Sequence, residues 1–214
     1  MIQVPHKKNH NIHLAIDAMN IQSGGGLTHL SQLLEKFNPS SSGVNKVTVW
    51  SNQRIANTLP NFSWLIKKSP SWAEHNLFIR FFYQQFFLLN NIKKNGCNIL
   101  FSPGGTIPMR CNIPVVTMSQ NMLPFQKNEA SHFGKFSLMR LKMWLLKHAQ
   151  GQSFKRADGV IFLTSYAEKF ISKFLKYDFE KKIIIPHGVE SRFFQSPRDQ
   201  NPISKFKKNE PFKL

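Results

Sequence analysis

The stretch "IHLAIDAMNIQSGGGLTHLSQLLEKF", residues 12–37, sets the terms for the rest of the chain. Its opening, 12–19, is an apolar run of strand type with only Asp17 ionisable near its end. The close, 27–37, places Leu27, Leu30, Leu33, Leu34 and Phe37 on one face at helical spacing. Between them lie three consecutive glycines, Gly24, Gly25 and Gly26. A strand, a glycine turn and an amphipathic helix form the first half of a β-α-β unit. The glycines have two readings. Backbone without Cβ lets a phosphate or sugar approach the uncapped amides of a helix start, Thr28 included. Alternatively, the run is a tight bend with Ser23 or Thr28 as the cap. It is neither G-x-G-x-x-G nor a P-loop, because no further glycine falls near Leu30 and no Lys-Ser/Thr follows.

The same alternation continues outward. Strands are predicted over 46–51, 98–103, 113–121, 159–165 and 182–189, with helices over about 73–94, 132–154 and 166–175. That order predicts an α/β fold, a doubly wound and mostly parallel sheet with helices on both faces. In such sheets ligands sit outside the carboxyl ends of the strands. Those ends carry Gly24–Gly26, Gly104 and Gly105 after Pro103, Gln120 and Asn121, Thr164 and Ser165, and His187 before Gly188. Gln120 and Asn121 suit a hydroxyl-rich ligand, or form an Asx turn into Pro124. His187 bonds a phosphate or hydroxyl, or satisfies loop backbone.

Composition excludes several classes. Hydrophobic residues make up 41% of 214, with 20 phenylalanines, which is enough for a packed core. The most apolar stretch, "NLFIRFFYQQFFLLN", is broken by Arg80, Gln84 and Gln85, too soon to span a bilayer. The polar start "MIQVPHKKNHN" has no signal-peptide core, so a cytoplasmic protein is expected. Cys97 and Cys111 lack metal-ligand spacing and read as reduced, buried small residues. Residues 1–126 hold only three acids, Asp17, Glu35 and Glu74, which leaves little for paired-carboxylate chemistry.

The net charge of +18 is spread along the chain rather than gathered in a tail. It fits an anionic surface or polyanion. No nucleic-acid module is recognisable, and nucleic acid is not an expected partner. Within 132–154, Phe136, Met139, Met143 and Leu146 form one stripe. Phe133, Leu138, Leu141, Trp144 and Leu145 form a second. Lys135, Arg140, Lys142 and Lys147 flank them. Either both stripes are buried, or one meets acidic phospholipid at the inner face of the plasma membrane.

Taken together, "GGGLTHL", "ILFSPGGTIP", "VVTMSQNMLPF", "RADGVIFLTSYA" and "IIIPHGVESRFF", in that order over about 12–194, resemble the N-terminal half of a GT-B retaining glycosyltransferase of family 4. The resemblance implies a Rossmann-like acceptor-side domain over 1–194. It implies that 195–214 is a linker and the start of a donor-binding domain that this sequence does not contain. It places Gly24–Gly26 and Thr28 near the donor phosphates and sugar. Gln120 and Asn121 stand where the family often has histidine, so they and His187 are the catalytic candidates. Gly104, Gly105, Thr164 and Ser165 fall to the acceptor or the cleft. The implied partners are a nucleotide-diphosphate sugar and a glycan or lipid-linked acceptor in bacterial cell-surface polysaccharide assembly. No metal or other cofactor is expected, and no transfer by these 214 residues alone. The alternative is a non-catalytic basic α/β module that binds an anionic membrane or polyanion.

Overall fold

A computed structural model describes residues 11–126, 137–189, 193, 194 and 196. Seven strands form one parallel sheet: β1 (Ile12–Asp17), β2 (Val44–Trp50), β3 (Leu65–Lys68), β4 (Ile99–Ser102), β5 (Val115–Ser119), β6 (Gly159–Phe162) and β7 (Lys182–Ile184). Their order is β3-β2-β1-β4-β5-β6-β7, so the chain reverses direction across the sheet between β1 and β4. The helices are α1 (Gly25–Lys36), α2 (Pro39–Ser42), α3 (Gln53–Thr58), α4 (Leu77–Phe86), α5 (Leu88–Lys94), α6 (Leu138–Arg156) and α7 (Ser165–Leu175).

Strand alternation divides the core in two. Ile16, Val47, Val49, Phe101 and Met118 point to the face covered by Leu30 and Leu34 of α1 and Ile55 of α3. Ala15, Trp50, Leu100 and Val115 point to the other face, against Tyr83 of α4 and Leu88 and Ile92 of α5. In register with that second face, Val160 and Phe162 pack against Phe154 of α6 and Ala167 and Ile171 of α7. Helices on links that step from β1 toward β3 lie on one face, and those stepping the other way lie on the other. Right-handed crossovers require that arrangement.

The doubly wound sheet expected from the sequence is present, with all strand pairs parallel. Several boundaries differ for local reasons. Residues 12–19 give a strand only to Asp17, whose carboxylate accepts the Met19 amide at 3.2 Å and turns the chain. The expected helix over 73–94 is a 3-10 turn over Ser71–Glu74 followed by α4, whose start Asn76 caps through the Ile79 amide at 3.1 Å. It breaks again at Phe87 before α5. The strand expected over 159–165 stops at Phe162, because Thr164 turns to cap α7. The strand expected to Val189 ends at Ile184. Three elements have no counterpart in the sequence reading, α2, α3 and β3. The strand β3 is an edge strand of four residues, "LIKK", in which two lysines mask any alternation. The proposed start of α6 before Ser137, with Lys135, Phe133 and Phe136, lies outside the described residues, as does nearly all of 195–214.

Candidate functional site

The switch between β1 and β4 opens a crevice at the carboxyl edge of the sheet, and the glycine run lies on it. Gly24 is the N-cap of α1 with φ 67°, a left-handed conformation that residues with a Cβ rarely adopt. Among the described residues no side chain caps this helix. The alternative reading, a bend capped by Ser23 or Thr28, does not hold: the Thr28 hydroxyl donates to the Gly24 carbonyl at 3.4 Å instead. Gly25 is open, with nothing within 4 Å of a would-be Cβ. A Cβ on Gly26 would sit 3.7 Å from Gln120 Oε1, so the end of β5 leans against the loop.

One turn into α1, the His29 ring meets the His187 ring edge-to-face at 5.1 Å between centroids. The segment after β7 thus returns over the carboxyl edge to the first turn of α1. Burial lowers the His29 pKa, and the neighbouring His187 lowers it further, so the ring is held neutral. His29 Nε2 is buried without a hydrogen-bond partner among the described residues. The sequence reading singled out His187 and missed His29, whose only sequence signal is its place in the turn that follows the glycines.

A second cluster faces the other side of the same edge. Gly105 has φ 80°, and a Cβ there would press to 2.8 Å from Gln150 Nε2. Gln150 Nε2 reaches the Gly104 carbonyl at 3.4 Å, and a Cβ on Gly104 would lie 3.7 Å from Asn20 Cβ. Among the described residues, six buried side-chain atoms have no partner: Asn20 Oδ1, His29 Nε2, Arg80 Nε, Thr106 Oγ1, Ser119 Oγ and Gln150 Oε1. Asn20 follows β1, His29 and Arg80 lie in the first turns of α1 and α4, Thr106 follows β4, and Ser119 ends β5. Gln150 meets them through Gly104 and Gly105. Buried polar groups are normally paired, so orphans gathered at one edge call for a polar ligand there.

Beneath the edge, Asp17 fixes the geometry. Its carboxylate accepts from Gln84 Nε2, and Gln84 Nε2 also donates to the Thr106 carbonyl at 3.0 Å. The end of β1, helix α4 and the loop after β4 are tied together through one side chain. Burial raises the Asp17 pKa to about 6, against the smaller opposing effect of the hydrogen bonds from Gln84 and Met19.

Other candidates have local work. Asn121 Oδ1 accepts the Leu123 amide at 2.9 Å, the Asx turn that was the other reading of this residue. Thr164 Oγ1 accepts the Ala167 amide at 3.0 Å as the cap of α7, and Ser165 is that helix's first residue. None of these three is brought to the two clusters by a contact among the described residues. Cys97 is buried and Cys111 half-buried, both as free thiols. Among the described residues no three His, Cys, Asp or Glu side chains are grouped to hold a metal ion. A cavity of about 170 Å³ lies at the opposite edge, lined by Phe154, Asp158, Tyr177 and Lys181 among others. None of the orphaned atoms lines it.

No family model matches this chain, and no curated protein matches it significantly. The functional reading therefore rests on the crevice and on the motif order.

Proposed function

We propose that the carboxyl-edge crevice is one wall of a nucleotide-sugar site in a retaining glycosyltransferase of cell-surface glycan assembly. The observation that carries the reading is the clustering of partnerless buried polar atoms around the glycine-lined switch point. The uncapped amides at Gly25 and Gly26 and the His29–His187 pair suit a diphosphate, which gains from helix-end N–H groups and nearby imidazole donors. The amides and hydroxyls of Asn20, Gln150, Thr106 and Ser119 suit sugar hydroxyls, because each can both donate and accept or pairs with one that does. In this scheme the glycine side holds the leaving diphosphate, and the Gly104–Gly105 side receives the acceptor. The quoted motif order supports the same assignment.

The test is calorimetric titration of the 214-residue chain with uridine- and guanosine-diphosphate sugars. Binding is expected, weakened about tenfold by His29→Ala or His187→Ala, in line with loss of one hydrogen bond to a charged group. A bound diphosphate favours imidazolium, whereas the free protein holds His29 neutral. Binding therefore takes up a proton, and affinity rises as pH falls toward the ordinary histidine range. Absence of binding, or binding indifferent to both histidines and to pH, overturns the reading.

A further inference from the structure

Helix α4 is built inside out. Gln84, at 1% exposure, is in the core with Asp17, while Phe78, Phe82 and Phe86 are 71%, 49% and 60% exposed. Their spacing of four places them in one row along the helix. Phe82 and Phe86 touch at 4.6 Å between ring centroids, and Phe82 meets Phe87 at 6.1 Å. Phe87 stacks on Trp72 at 5.6 Å, which extends the aromatic surface to the preceding 3-10 turn. A row of this size facing water is not explained by the fold of this chain.

Helix α6 repeats the pattern on the same face of the sheet. Its Leu138, Leu141, Trp144 and Leu145 are exposed, while Gln150 and Ser153 are buried. The two helices flank one segment: Gln85 Nε2 donates to the Ile107 carbonyl at 3.2 Å, and the Ile107 amide donates to Ser153 Oγ at 3.1 Å. Both helices thus border one side of the sheet, each with exposed apolar side chains.

Within α4 and α6 every charged side chain is basic. Between Glu74 and Glu129, and again between Glu129 and Asp158, the sequence has no acidic residue. Lys93 and Lys94 end α5, Arg140 and Lys142 lie among the exposed residues of α6, and Lys155 lies 5.7 Å over the Tyr177 ring. Lys147 is partly spent, its ammonium lying 5.3 Å over the Phe174 ring of α7.

We propose that the α4 and α6 faces together dock on an anionic lipid bilayer, with the phenylalanine and leucine rows at acyl depth and the cations among the headgroup phosphates. Aromatic rings beside lysine and arginine suit that interface, where apolar burial and attraction to acidic lipid add. A second copy of the chain is the poorer occupant, because a twofold contact through this face would set cations against cations. This surface is separate from the nucleotide-sugar crevice, and neither proposal depends on the other.

The experiment is flotation of the full chain with vesicles of phosphatidylcholine alone and of phosphatidylcholine with phosphatidylglycerol, at physiological salt. The chain is expected on the phosphatidylglycerol vesicles only, with a blue shift of tryptophan emission from Trp72 and Trp144. The triple change Phe78→Ser, Phe82→Ser and Phe86→Ser should cut the partition coefficient by about tenfold or more. Phe78→Ser alone touches none of the ring stacks described above, so it leaves the fold intact and gives a smaller loss in the same direction. Arg140→Gln with Lys142→Gln should weaken binding in low salt more than in high salt. The proposal is overturned if anionic and neutral vesicles bind alike, if the phenylalanine variants bind as the parent does, or if the face instead forms a dimer or captures oligonucleotides while vesicles do not bind.

Discussion

At the amino edge of the sheet, Asp158 accepts the Val115 amide at 2.8 Å, Asn98 receives the His13 amide at 3.1 Å and reaches Asn11 at 2.9 Å, and Lys182 bridges Glu168 and Asp178 at 2.9 and 2.7 Å. At the carboxyl edge, Asn20, His29, Thr106, Ser119 and Gln150 each keep a buried polar atom with no partner. The same sheet is thus finished at one end and left open at the other. Polar groups that hold strands in register are satisfied within the chain. Those at the switch point are held in place by the fold and left to something else. The cavity at the amino edge does not alter this contrast, because none of the buried orphaned atoms lines it, and Asp158 and Tyr177 on its wall are engaged by the Val115 amide and by Lys155, which lies over the ring at 5.7 Å.

The largest effect expected from breaking that contrast comes from Asp17, a carboxyl-edge acid that is both partnered and buried. Its folded-state pKa of about 6 stands above the unperturbed 3.8. For an acid shifted upward, the stability contribution is complete below the unfolded pKa and is lost as pH rises through the folded one. The loss amounts to about 3 kcal/mol. Urea unfolding of the parent and of Asp17→Asn between about pH 4 and pH 8 should show the difference moving in the variant's favour by that amount. A difference that stays flat with pH would mean that the carboxyl is not desolvated as described.

A pair of substitutions then compares the two edges directly. Asp158→Ala strips a partner from the Val115 amide and should cost about 1–3 kcal/mol of stability by thermal or urea unfolding. Ser119→Ala removes a hydroxyl that has no partner and should change stability by less than about 1 kcal/mol, in either direction, while weakening ligand binding. Equal costs at the two positions would erase the distinction between a finished edge and an open one.

How much of this was legible in the sequence follows from what each residue had to show locally. The strands β1, β2, β4, β5, β6 and β7 are readable because apolar runs end in glycine, proline or polar residues, and five of those ends point to the carboxyl edge. Edge strand β3 was not, since its lysines look like loop. Helix α4 falls within the helix expected over about 73–94, but which side of it faces the core was not legible. Its polar breaks, Gln84 and Gln85, prove to be the inward side, and hydropathy cannot signal such an inversion. The glycines, Gln120 and His187 were found as residue types at strand ends. His29 and Gln150 were not, because their place in the site comes from the return of the chain after β7 and from the packing of α6 on the loop after β4. Thr164 and Asn121 looked equally suitable in sequence, and hydrogen bonds to their own loops account for them.

The central claim is that the open edge is where ligand binds, and backbone amide NMR of the full chain titrated with a nucleotide-diphosphate sugar tests it most directly. The account predicts shifts concentrated at Gly24–His29, Gly104–Thr106, Ser119–Gln120 and His187, with Asp158, Tyr177 and Lys181 unmoved. Shifts centred on Asp158, Tyr177 and Lys181, or none at saturating ligand, would contradict it.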